Sequence, residues 1–177
     1  MREVTFKVFD IDELSEEARE KAINELREGD DFFWEVRELV NSIEKASEFF
    51  NFEVTDYEVG IYERSYIEVS NANYMELPNE EKNELVKWLR DNIESGSEGS
   101  CPFTGWYMDC FYFDYFIRHD VEVTYNNLHT EVLNALNYQL ERGVEALEEE
   151  HGSDERYIEE ANANEMEFYD NGDIYNR

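Results

Sequence analysis

Basic residues are scarce in this chain. Fifteen Lys and Arg stand against 45 Asp and Glu, a formal net charge of −30 on 177 residues. So few cations exclude the basic footprint with which proteins hold nucleic acid, and an anionic membrane surface would repel the chain. Long apolar runs are absent too: none approaches the ~20 residues that cross a bilayer. The opening Met1-Arg2-Glu3-Val4 lacks the apolar stretch of a secretory leader, so a cytoplasmic protein is expected. Cysteine is limited to Cys101 and Cys110. Their spacing fits neither a zinc pair nor a Cys-x-x-Cys redox pair, and two reduced thiols are expected over a disulfide. The three histidines, His119, His129 and His151, have no metal-ligand spacing. There is no phosphate-binding glycine loop, Gly-x-Ser-x-Gly elbow, His-Glu-x-x-His helix or Gly-centred Ca²⁺ loop. No cofactor or metal is expected, and no enzyme.

What is abundant is acid on a sequence that can still fold. Hydrophobic residues make up 41% of the chain and aromatics 15%, whereas disordered acidic tails are poor in aromatics. The length suits one domain, so residues 1–177 are read as a single α+β domain. A half-buried strand is expected over 3–9, where Val4, Phe6 and Val8 alternate. Ser15 before Glu16-Glu17 is a helix N-cap, and Leu14, Ala18, Ala22 and Leu26 form the inner face of the helix it opens. Apolar residues keep helical spacing over 32–50. Runs 52–62 and 65–69 read as an antiparallel pair turning near Glu63-Arg64. A third helix opens at Pro78, with Leu85, Trp88, Leu89 and Ile93 inward. A flexible loop is expected over 95–105. A fourth helix covers 127–150 around Leu133, Leu136, Leu140, Val144 and Leu147, and Ser153 caps a fifth. The chain closes in a hairpin turning at Asn171-Gly172, expected as type I′. A small antiparallel sheet packed with amphipathic helices follows.

The densest acid falls between 141 and 160. Glu141, Glu145, Glu148 and Glu149 lie opposite the leucine stripe of the fourth helix, and Asp154, Glu155, Glu159 and Glu160 extend the run. Like charges at i,i+4 cost about 0.2–0.5 kcal/mol per pair, at Cβ separations of about 5–6 Å. Duplex DNA carries one charge per ~1.7 Å of axis. A rigid row of carboxylates therefore offers a basic groove a substitute for phosphates. The competing readings are a merely solvated helix face and adaptation to high salt. High Glu relative to Asp and abundant aromatics argue against the second.

Two other features carry weaker signals. The segment 106–116 holds Trp106, Tyr107, Phe111, Tyr112, Phe113, Tyr115 and Phe116. Aromatics can stack on bases, but no basic groove accompanies these, so a core or a homodimer interface is the stronger reading. His119-Asp120 has the form of a general-base pair, which chance alone supplies in so acidic a chain. Asp10-x-Asp12 resembles a metal motif but suits a strand-to-helix loop better.

Three stretches carry a resemblance. They are 9–22 (Phe9-Asp10-Ile11-Asp12-Glu13-Leu14-Ser15-Glu16-Glu17-Ala18-Arg19-Glu20-Lys21-Ala22), Thr104-Gly105-Trp106-Tyr107-Met108-Asp109-Cys110, and the ending from Ser153-Asp154-Glu155 through Ala163-Asn164-Glu165-Met166-Glu167-Phe168 to Asp170-Asn171-Gly172. Together they resemble a group of small phage and prophage accessory proteins often labelled antitoxin-like. A Gly-rich middle segment of that group has no counterpart here. The resemblance implies a phage-encoded protein acting in a bacterial cytoplasm. Joined to the acid, it leads to the expectation of a non-catalytic inhibitor of a basic host defence protein, a restriction or CRISPR nuclease or another DNA-binding protein. The expected contact residues are Glu141, Glu145, Glu148, Glu149, Asp154, Glu155, Glu159 and Glu160. The alternatives are an antitoxin-like protein that neutralises one specific toxin, and a small nucleotide-binding or enzymatic protein using the aromatic segment and His119.

Overall fold

The computed structural model describes residues 7–30, 32–94 and 102–175. Residues 3–6 of the expected first strand, residues 95–101 of the expected loop, and Cys101 lie outside them. The fold is α+β, with helices dominating and one two-stranded antiparallel sheet. Its contacts divide into two compact units: Phe33–Glu148, and a smaller one built from both ends of the chain, residues 1–32 and 149–177.

The smaller unit pairs helix α1 (Glu16–Gly29) with helix α7 (Asp154–Ala163). Both start as the sequence dictates. The Ser15 hydroxyl accepts from the Ala18 N–H at 3.3 Å, and the Ser153 hydroxyl accepts from the Arg156 N–H at 3.4 Å. Each cap satisfies one of the donors that a helix start leaves without an intrahelical partner. Ile11, Leu14, Ala18, Ala22, Ile23, Tyr157, Ala161 and Phe168 form the buried core. Burial of each large side chain supplies roughly 1.5–3 kcal/mol. In the described part of the expected first strand, Phe9 makes a single bridge to Phe168, and a 3₁₀ turn follows over Ile11–Glu13.

The C-terminal hairpin forms, with Phe168 bridged to Ile174. Its turn differs from the expected one. A type I′ turn needs positive φ at both central residues, but only Gly172 has it, at 87°. The Gly172 N–H donates to the Tyr169 carbonyl at 3.0 Å, and Asn171 uses its side-chain oxygen to accept from the Asp173 N–H at 3.2 Å. The result is a tight turn followed by a left-handed glycine, a three-residue hairpin loop. Glycine is required twice over, because a Cβ at 172 would stand 2.2 Å from the Ala18 carbonyl oxygen on α1.

The larger unit is built on α2 (Phe33–Phe49), α4 (Asn79–Glu94), α5 (Asp109–Arg118) and most of α6 (Leu128–Gly152). Strands β1 (Glu53–Glu58) and β2 (Tyr66–Ser70) pair antiparallel as expected, with an irregularity between Val54 and Asp56. A short helix α3 (Ala72–Glu76) follows them. α2 buries Leu39, Val40, Ile43 and Ala46, and α6 buries Val132, Ala135, Leu136, Leu140, Val144 and Leu147. They meet closely at Gly143, where an added Cβ would stand 2.4 Å from Leu39 Cδ1. On α4 the inward face is rotated from the expected one: Val86 and Leu89 are buried, whereas Leu85, Trp88 and Ile93 are half-buried on its flank. No helix among the described residues is long and apolar enough to cross a membrane.

Candidate functional site

The expected acidic contact residues are divided between the two units. Glu141, Glu145 and Glu148 belong to the larger one, and Glu149, Asp154, Glu155, Glu159 and Glu160 to the smaller. Five display unpaired carboxylates. Glu141, Glu149, Glu155, Glu159 and Glu160 are all exposed, and their side chains make no hydrogen bond or ion pair among the described residues. Each sits on the outward side of a helix whose other side is packed, so its carboxylate is held by a fixed backbone.

The other three are engaged. Glu145 pairs with Arg142 one turn earlier on α6. Asp154 pairs with Arg27 at 2.5 Å. Glu148 is half-buried and holds the loop between β1 and β2: it accepts from the Tyr62 N–H at 2.8 Å, while the Tyr62 hydroxyl donates to its main-chain carbonyl at 2.9 Å. Its carboxylate is thus already serving the fold. Sequence spacing placed Glu148 on an open face because Tyr62, 86 residues away, gives no local sign of contact.

Cations in the smaller unit serve the same internal purpose. The Arg156 guanidinium, with 18% of its side chain exposed, bonds Glu150 at 2.6 Å and Asp30 at 3.0 Å. It also lies 4.1 Å from the Phe32 ring centroid. Arg27 donates to the His151 carbonyl at 3.1 Å and stands 5.3 Å from the Tyr157 ring. Arginine suits both places because its planar fork can stack and donate at once. The unit holds 21 of the chain's 45 acids and seven of its 15 cations. Arg19 and Lys21 are likewise engaged inside the unit, on the Ile11 and Asp12 carbonyls and on Asp173, and most of the unit's described carboxylates face solvent.

Part of the aromatic segment is spent on packing, while Trp106, Phe111 and Tyr115 stay half-buried and Tyr107 is exposed. Tyr112, Phe113 and Phe116 on α5 are buried. Phe103 stacks on Phe113 with centroids 5.8 Å apart and planes 8° from parallel, and Phe50 stacks on Tyr112 at 5.7 Å. Burial pushes the Tyr112 phenol well above its usual range, and its hydroxyl has no hydrogen-bond partner among the described residues. These ring faces are therefore occupied by other rings. The His119 Nδ1 lies 2.8 Å from the Tyr115 carbonyl, and its ring sits against Tyr115 and Tyr138. The adjacent Asp120 has left-handed backbone, φ 49°, just beyond the end of α5.

Sequence reasoning missed a buried polar centre in the larger unit. The fully buried Asp109 carboxylate opens α5. It accepts from the backbone N–H groups of Phe103 (3.0 Å), Thr104 (2.7 Å) and Gly105 (3.2 Å), from the Thr104 hydroxyl (2.9 Å), and from the Ser42 hydroxyl. Gln139 then donates to Ser42 Oγ at 2.7 Å and to the Met108 carbonyl at 3.2 Å. One anion thus fastens the 103–108 loop to α2 and α6. Thr104 and Asp109 both lie in the Thr104–Cys110 stretch singled out above, which was the one local signal available. The centre is sealed from solvent, and its chemistry is structural.

In the smaller unit, the Asp173 carboxyl lies below its usual range, chiefly because Lys21 donates to it and then because Asn171 does. Among the described residues no group of three or more His, Cys, Asp or Glu side chains is arranged to hold a metal ion. Compared with known protein families, curated proteins and solved structures, the chain matches none.

Proposed function

We propose that this chain is a phage-encoded, non-catalytic inhibitor that occupies the nucleic-acid groove of a basic host defence protein, a restriction or CRISPR nuclease being the type. The observation that carries the reading is the set of unpaired, exposed carboxylates on packed helices: Glu141 on the larger unit, and Glu149, Glu155, Glu159 and Glu160 on the smaller. Glu155 and Glu159 are one helical turn apart, at a Cβ spacing of about 5–6 Å. That is a repulsive arrangement that a basic groove would relieve. A partner whose Lys and Arg normally neutralise phosphates would give up its condensed ions to these carboxylates instead. The resemblance of both chain ends to phage accessory proteins supports the setting.

The test is capture from bacterial lysate at low salt, followed by binding of the isolated partner across a salt series. The expected partner is a nuclease or DNA-binding protein whose affinity falls steeply with salt and whose binding is competed by duplex DNA. Reversing Glu155, Glu159 and Glu160 to Lys should weaken it at least about tenfold, or about 1.4 kcal/mol. A complex indifferent to salt and to DNA would overturn the proposal.

A further inference from the structure

We infer that a cleft on the larger unit, between the C-terminal end of α2 and α4, seats an arginine side chain presented by a basic protein partner. This uses none of the carboxylates of α6 and α7. It rests on the reading above only in taking the partner to be basic.

The cleft follows from the rotation of α4. Its core side is taken by Lys82, Val86 and Leu89, which leaves Glu81, Glu84, Leu85 and Trp88, at i, i+3, i+4 and i+7, as a stripe on the flank. Phe49, Asn51 and Leu77 complete a hollow of about 360 Å³. That is the low end of the ligand-pocket range of about 300–1,000 Å³, suited to one long side chain. Its floor is aromatic and braced. Phe49 is 39% exposed, with its ring centroid 4.1 Å from that of Trp88, and both rings back onto Phe50 and Phe103.

The rim is anionic and unsatisfied. Glu81 and Glu84 are exposed and make no side-chain hydrogen bond or ion pair among the described residues. The cations of α4 do not neutralise them. Lys82 donates to the Met75 carbonyl at 3.1 Å and lies 5.0 Å from the Tyr74 ring centroid. Arg90 donates to the Val123 carbonyl at 2.8 Å, and Lys87 forms no ion pair with either glutamate among the described residues. An aromatic floor beside two free carboxylates complements a guanidinium in particular. It stacks on an open aromatic ring such as Phe49, forks onto a carboxylate with two parallel hydrogen bonds, and lays its methylenes on leucine. An ammonium is more strongly hydrated and has no planar fork.

The experiment follows the indole N–H resonances of the full-length ¹⁵N-labelled protein at neutral pH. The probes are blocked Leu-Arg-Leu, Leu-Lys-Leu and Leu-citrulline-Leu peptides, and the Trp88 signal is assigned with W88F. The expected result is a saturable shift at Trp88 with the arginine peptide, about fivefold weaker binding with lysine and none with citrulline. E81Q/E84Q should weaken the arginine peptide about tenfold, while E155Q/E159Q/E160Q leaves it unchanged. Equal shifts at Trp34, Trp88 and Trp106, equal binding of arginine and lysine, or full binding by E81Q/E84Q would overturn the inference. Loss of the captured partner on changing the α7 carboxylates, with peptide binding intact, would separate the two sites.

Discussion

Asp109 concentrates more structural consequence than any other side chain described. A carboxylate accepts at both oxygens, and all five of its contacts come from donors. Asparagine has the same shape but would turn an NH₂ toward some of those donors. Asp109→Asn should therefore cost about 3 kcal/mol, the scale of a buried charge-assisted hydrogen bond lost together with donors left unmet. The measurement is urea unfolding. A change under about 0.5 kcal/mol would mean that the loop finds other acceptors, since surface substitutions fall in that range. The sequence hid this residue because an Asp at a helix start reads as an ordinary first-turn acid. Four of its five contacts come from residues 103–105, and the fifth, Ser42, held in turn by Gln139, is distant in the chain and ties that loop to α2 and α6. The same limit explains Glu148 and Asp154: their outward spacing was legible, but the partners that engage them were not.

At the scale of elements, periodicity located the long helices and the hairpins well because each has a wide apolar face or a strong turn signal. It fixed the face of α4 less well. Leu85 and Trp88 are as apolar as Val86 and Leu89, and which of them reaches the core is decided by α5 and its aromatic neighbours. α5 itself had no assigned state, since nearly every position from 111 to 116 is aromatic and carries no period. Glycines provide a sharper test of packing between elements. Gly172→Ala meets a backbone oxygen that cannot yield and also occupies left-handed φ, which alone costs roughly 1–2 kcal/mol. Gly143→Ala meets the end of the Leu39 side chain. There an overpacking cost of typically about 1–3 kcal/mol is partly offset by a gain of about 1 kcal/mol in helix propensity. In denaturant titrations Gly172→Ala should be the more destabilising by at least about 1 kcal/mol. The reverse order would place the closer contact at α2 and α6.

For the whole molecule, the controlling quantity is a net charge of −30. Self-repulsion of this size opposes the compact state. Raising ionic strength from 0.01 to 0.1 M shortens the screening length from about 30 Å to about 10 Å. The expected outcome is a rise in Tm of several degrees, since about 1 kcal/mol moves a domain of 150–250 residues by about 2–4 °C. A fall in Tm would show that internal pairs such as Arg156 with Asp30 and Glu150 outweigh the repulsion. The sequence alone determined the excess of acid, the helix starts at Ser15 and Ser153, the sheet pair and the closing hairpin, because composition, caps and short-range periodicity are local properties. Only the tertiary structure decided which carboxylates remain free. Whether an acid meets Arg27, Tyr62 or solvent depends on segments brought together from far apart in the chain. It divided the run from Glu141 to Glu160 between two units, engaged Glu148 with Tyr62 and Asp154 with Arg27, and left Glu81 and Glu84 without an ion pair among the described residues, beside an aromatic floor.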